Sequence, residues 1–161
     1  MTLLTLTEAT YQAIREHGEE TYPNECCGIL LGHAHAAPAP GAPRDPPTRE
    51  LPTNEVIEAI RAGNTRTDSA HNRYNIAPQE LVRAQREARE KGLDIVGFYH
   101  SHPDHPAHWS STDFAEAHWL GCSYIITAIE KGKATTTNSF LLTGPSEEEK
   151  QFHPQPIQLR P

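Results

Sequence analysis

Apolar positions along this chain fall into short continuous runs and looser helical stripes, which predicts strands and helices mixed through a single domain. Residues 3–6 form a short strand candidate. Thr7 can cap a helix that follows, with Ala9, Ala13 and Ile14 among its less polar positions and a break at Pro23-Asn24. Residues 26–31 are an apolar run ending at Gly32, which predicts a buried strand. Residues 36–52 collect Pro38, Pro40, Pro43, Pro46, Pro47 and Pro52 and read as a loop or polyproline-type excursion. Residues 55–74 are ambiguous: Val56, Ile57 and Ile60 suit a short helix ended by Gly63-Asn64, with an exposed loop over 66–72.

Residues 77–91 give the clearest helix. Pro78 suits its first turn, Leu81, Val82, Ala84, Gln85 and Ala88 mark one side, and Gly92 suits its end. Residues 95–99 predict a buried strand in which Gly97 implies close approach of other backbone. A second short helix is predicted over 112–120, opened by Ser110-Ser111-Thr112-Asp113 and stopped at Gly121. Residues 124–129 and 135–142 predict an antiparallel pair joined by a turn at 130–133. From Gly144 the chain is polar and contains proline. The expected organisation is one domain over 1–143 and a polar tail over 144–161.

The length of 161 residues suits one domain, and 36% hydrophobic residues exclude compositional disorder. A formal charge of −7 and the lack of a Lys/Arg run argue against a nucleic-acid partner. The first residues lack a basic stretch and a long apolar core, and no apolar run approaches the ~20 residues of a membrane helix. A cytoplasmic protein with no membrane partner is expected. Three cysteines, two of them adjacent, make no disulfide framework.

The chemistry concentrates in Tyr99-His100-Ser101-His102-Pro103. Residues i and i+2 of a strand face the same way, so His100 and His102 can present two imidazoles to one point. Pro103 then turns the chain, and Asp113 falls in the first turn of the next helix. Two imidazoles and one carboxylate leave a fourth tetrahedral position open, as in a hydrolytic zinc site. One zinc ion with a bound water is the expected cofactor.

His100-Ser101-His102-Pro103, six residues, Ser110, two residues and Asp113 resemble the JAMM motif of the MPN-plus metallopeptidases. Upstream, Pro23-Asn24-Glu25-Cys26-Cys27-Gly28 resembles the P-x-E-x-C-G segment of the bacterial and archaeal single-domain branch. The resemblance runs from about residue 7 to residue 142. It implies an α/β (α+β) fold, a curved mixed β-sheet flanked by helices with cytidine-deaminase-like layering. It implies that His100, His102 and Asp113 are zinc ligands. Glu25 is then the general base and acid, and Ser110 hydrogen-bonds the oxyanion. By the same analogy the substrate is a peptide or isopeptide bond at the C-terminal Gly-Gly of a ubiquitin-like or β-grasp sulfur-carrier protein. The alternative is a non-catalytic MPN-like scaffold that grips such a partner.

Other candidates have blander readings. Cys27 and Cys122 read as small core residues, and Cys26 is open between core and site. His105 and His108 lie between the ligands as solvated loop residues. His33, His35, His71 and His153 read as loop histidines, and His17 and His118 as helix residues with no assigned role. Phe114 and Trp119 read as core. Trp109, directly before Ser110, either lines a substrate groove or partly blocks it. Ser110 can also serve as a helix N-cap. A nucleobase deaminase would need H-x-E together with P-C-x-x-C, and a helical zinc protease H-E-x-x-H; P-C-x-x-C and H-E-x-x-H are both absent.

Overall fold

The structure is a computed structural model and describes residues 2–35, 53–64 and 75–161. The Pro-rich stretch 36–52, the expected loop 66–72 and His71 lie outside the described residues. Among the described residues, eight strands and three helices follow in the order β1 (Leu4–Thr7), α1 (Glu8–Thr21), β2 (Cys27–His35), β3 (Thr53–Ala62), α2 (Pro78–Glu90), β4 (Asp94–Pro103), α3 (Ser111–Glu116), β5 (Ser123–Glu130), β6 (Lys133–Thr143), β7 (Gln151–Gln155) and β8 (Ile157–Arg160). The strands form one sheet in the order β7-β6-β5-β4-β2-β3-β1-β8. The β4/β5, β1/β3 and β1/β8 pairs are parallel and the others antiparallel.

The two edge strands β7 and β8 are separated in sequence by Pro156 alone. The sheet therefore curls until its edges nearly meet. Gln155 occupies that junction. Its Oε1 accepts from the hydroxyls of Ser123 and Ser139 at 2.7 and 2.8 Å, and its Nε2 donates to Thr2 Oγ1 at 2.8 Å. The curved mixed sheet with flanking helices is the architecture that the motif resemblance implied.

Helix α1 begins at Thr7, whose Oγ1 accepts from the Thr10 N–H at 3.1 Å. Ile14 packs with Leu4, Leu6, Cys26, Leu30, Val56, Val96, Tyr99 and Ile125 on one sheet face. Helix α2 starts on Pro78 and buries Ala84 and Ala88 against the opposite face, with Ile29, Leu31, Phe98 and Tyr124. Val82 and Gln85, expected on its inner side, face outward. Gly97 has the role its position predicted: a Cβ there would lie 2.1 Å from the Ser123 carbonyl oxygen.

Three expectations are corrected. Residues 53–62 form strand β3 rather than a helix, because pairing with β2 on one side and β1 on the other decides a pattern that either period accommodates. Helix α3 stops at Glu116 instead of running to Leu120; the chain leaves at Ala117 with φ −87° and ψ 112°. The stretch after Gly144 contains strands β7 and β8, because the sheet supplies backbone partners on β6 and β1 that polarity gives no hint of.

Candidate metal centre

His100 and His102 lie on β4, on the face shared with Phe98 and α2. In the flanking strands His100 pairs with Cys27 of β2 and Ile126 of β5, and His102 with Ala128. Central placement leaves both imidazoles buried, with their Nε2 atoms 3.1 Å apart. Past Pro103 the chain turns at Asp104, which adopts φ 55°. Asp104 is held there by the Tyr22 hydroxyl and the Lys131 N–H, which donate to its carboxylate at 2.6 and 2.8 Å. The loop then returns to Ser110, which caps α3.

Asp113 arrives on the first turn of α3. Its Oδ2 is 3.0 Å from His102 Nε2 and its Oδ1 3.3 Å from His100 Nε2. The three residues offer ligand atoms that all lie within 4.8 Å of one another, a set that could hold a metal ion. His102 Nδ1 lies 2.8 Å from the Pro106 carbonyl oxygen. A carbonyl only accepts, so Nδ1 carries the proton, and in the neutral ring the Nε2 lone pair faces the cluster. Burial raises the Asp113 pKa, but its close contacts with the two imidazoles outweigh it and hold the carboxyl far below the usual range. Burial pushes His100 down toward the neutral form. Burial also disfavours charge on His102, but Asp113 and the Pro106 carbonyl more than offset it and raise its pKa. An ionised carboxylate and a neutral imidazole are the forms a metal ion takes.

Glu25 sits two residues before the Cys27–His100 pairing, which brings it to this end of the sheet. Its side chain is buried, and Oε2 has no hydrogen-bond partner among the described residues. Burial pushes its pKa up to about 8; His102 works against that rise, and Asp113 and Glu116 add to it. Ser101, between the two histidines, points to the other face and ties this segment down. Its Oγ accepts from the Cys26 N–H at 2.8 Å, and its own N–H donates to the Cys26 carbonyl at 3.2 Å.

The family description "prokaryotic homologs of the JAB domain" matches residues 7–158. The chain belongs to that JAB-domain family. The JAB-domain chain is 31% identical over 112 residues to a desampylase from Haloferax volcanii, covering 70% of this chain and 68% of that protein. It is also similar to a protein of Salinibacter ruber solved in solution, at 36% identity and TM-score 0.64, covering 99% of this chain and 92% of the other. A Desulfitobacterium hafniense protein, also solved in solution, shares the fold at 23% identity and TM-score 0.71, over 98% and 94% of the two chains. The resemblance read from the His-Ser-His-Pro segment is borne out at the level of family and fold.

Elsewhere in this JAB-domain chain, Ser110 is the N-cap of α3: its Oγ accepts from the Asp113 N–H at 3.0 Å. Cys26, Cys27 and Cys122 are buried, and burial pushes their thiols up to about 11, 12 and 12, which keeps them protonated and inert. His105 and His108 are exposed in the loop after β4. His33 and His35 belong to the exposed end of β2 and His153 to β7, rather than to loops. His118 follows α3 and meets Glu147 at 3.1 Å. Trp109 packs on Phe114 and lines a groove of ≈ 770 Å³ together with Tyr11, Phe140 and Leu159.

Sequence reasoning missed three supporting residues. Ser101 was legible from alternation, since the residue between two ligands of a strand must face away from them. Asp104 carried no signal. His17 is buried with Nδ1 2.8 Å from the Tyr99 hydroxyl, and burial lowers its pKa to about 4, a structural role its helix position did not reveal. Among the described residues no helix is long and apolar enough to cross a membrane.

Proposed function

We propose that this chain is a zinc-dependent JAMM-type peptidase. Its substrate is the amide or isopeptide bond at the C-terminal Gly-Gly of a ubiquitin-like or sulfur-carrier protein. The observation that carries the reading is the convergence of His100, His102 and Asp113 near buried Glu25, which feels the charge of His102 and Asp113 and whose Oε2 has no hydrogen-bond partner among the described residues. The donor set fits zinc: two imidazole nitrogens and one carboxylate oxygen, with the His102 tautomer set by the Pro106 carbonyl. His100, His102 and Asp113 would hold the ion. When bound, it supplies a Lewis acid that lowers the pKa of water and polarises the amide carbonyl.

The chain's own residues do the rest. Glu25 takes a proton from the attacking water and passes it to the leaving amine, so one carboxyl serves as base and then as acid. Its raised pKa matches that second duty, and a cation at the triad favours the ionised form needed for the first. The Ser110 hydroxyl accepts one hydrogen bond as the cap and keeps its own hydrogen to donate to the oxyanion. The partner class is supported by the relative named a desampylase and by family analogy.

Mass spectrometry tests this reading. The zinc-loaded chain is incubated with Gly-Gly-terminated β-grasp proteins extended by a residue or a peptide, with a chelator control. Release of the extension after the second glycine, abolished by the chelator, is the expected result. A chain that carries and binds no zinc and leaves every fusion intact would support the non-catalytic scaffold instead.

A further inference from the structure

His100 and His102 are fixed by the central strand that carries them, but Asp113 is not. It sits on the six-residue helix α3, which has no fully buried residue of its own. The loop and helix from Trp109 to Ala117 need a support outside themselves. The C-terminal segment supplies one.

Lys150 is the unusual residue. Its side chain is only 6% exposed, and lysine is seldom buried unless it is paired. Its Nζ donates to the Ala117 carbonyl at 2.8 Å, reaches the Ala115 carbonyl at 3.4 Å and pairs with the Glu147 carboxylate. Those two carbonyls belong to the last turn of α3 and its exit, where the helix itself supplies no N–H donors for them. The ammonium also lies 5.0 Å from the centre of the Phe114 ring. Two residues on, Phe152 of β7 packs its ring against Trp109 and Phe114 with centroids 5.5 and 5.6 Å apart. Trp109 directly precedes the cap Ser110, and Phe114 directly follows Asp113. The segment thus grips the Asp113 arm on both sides of the ligand and at its far end.

We propose that Lys150, seconded by Phe152, is a positioning residue for Asp113. It sets the distance of that carboxylate from the two histidines and so sets the metal affinity. This rests on the reading of His100, His102 and Asp113 as a metal centre. Lys150 bonds α3, its exit and Glu147 rather than any of the three ligand residues. Its influence passes through α3.

The test uses the full chain stripped of metal, as wild type, Lys150→Met, Phe152→Leu and His100→Ala. Two readouts are taken: cobalt(II) affinity from the ligand-field absorption, and amide hydrogen exchange over residues 111–117. Partners bonded directly to a metal ligand typically set affinity by about 10–100-fold; Lys150 acts one step further out through α3, so Lys150→Met should weaken cobalt binding about tenfold, the low end of that range. Exchange over 111–117 should quicken while β4 and β5 keep wild-type protection. Phe152→Leu should shift both readouts the same way. Wild-type cobalt affinity in Lys150→Met, in a chain where His100→Ala abolishes binding, overturns the proposal and leaves the metal reading standing. If wild type itself binds no cobalt, the metal reading fails. The positioning of α3 is then decided by exchange alone: unchanged protection over 111–117 in Lys150→Met overturns it.

Discussion

Ser110 and Asp113 cap each other: the Ser110 N–H donates to Asp113 Oδ2 at 2.9 Å while the Asp113 N–H donates to Ser110 Oγ at 3.0 Å. The same Oδ2 lies 3.0 Å from His102 Nε2. One carboxylate thus caps the start of a helix and faces the histidine pair. The geometry of the N-cap is the geometry of the candidate metal centre, and this accounts for the three-residue spacing between them.

Ser110→Ala should separate the two duties of this serine. Loss of the cap costs about 1 kcal/mol of stability. Loss of an oxyanion donor lowers kcat by about 10²–10³. Thermal melts and steady-state kinetics on the zinc-loaded variant check this. A fall in stability with unchanged kcat would leave Ser110 as a cap only.

His100→Ala and Asp113→Asn each remove or weaken a ligand and should lose zinc along with activity. Zinc at 100 times its Kd should stabilise the wild-type fold by about 2.7 kcal/mol. Calorimetry of both variants should show almost none of that gain. A full zinc-dependent shift in either one would show that the ligand set is wrong.

Glu25 makes the metal-free chain sensitive to pH. Its folded pKa, about 8, stands above the ordinary carboxylate value because burial disfavours the charge. A raised pKa gives stability that is complete below about 4.5 and is lost as pH rises through about 8. Glu25→Gln cannot ionise and lacks this loss. Denaturant melts of the metal-free proteins should show wild type falling relative to Glu25→Gln between those pH values. A constant difference across that range would show that Glu25 is not a buried titrating acid.

Ser101→Ala should destabilise without touching a ligand. It leaves the buried Cys26 N–H without the Ser101 Oγ acceptor, at a cost of about 1–3 kcal/mol. Because Cys26 adjoins Glu25, kcat should fall while zinc content holds. Metal analysis beside kinetics separates this from loss of the ion.

The histidine pair was legible because strand alternation is local: two residues apart on one strand is enough to place them together. Asp113 followed from helix-start chemistry within a few residues. Glu25 was not legible from pattern alone, since its place depends on Cys27 pairing with His100 across two strands. It came from resemblance. Strand β3 was misread because Val56, Ile57 and Ile60 suit both periods and only the neighbouring strands choose between them. Lys150 and Phe152 were hidden in a polar stretch whose partners, Ala117 and Phe114, are distant in sequence. Polarity signals exposure, and it misleads when a charged head finds carbonyls and a carboxylate to satisfy it.

The most direct test of the central claim is the anomalous difference map at the zinc absorption edge from a crystal of zinc-saturated protein. The account predicts one strong peak per chain, bonded to His100 Nε2, His102 Nε2 and a carboxylate oxygen of Asp113, with the Glu25 carboxyl close by and not bonded to it. A peak on other residues, or no peak at this site in a zinc-saturated crystal, would contradict it.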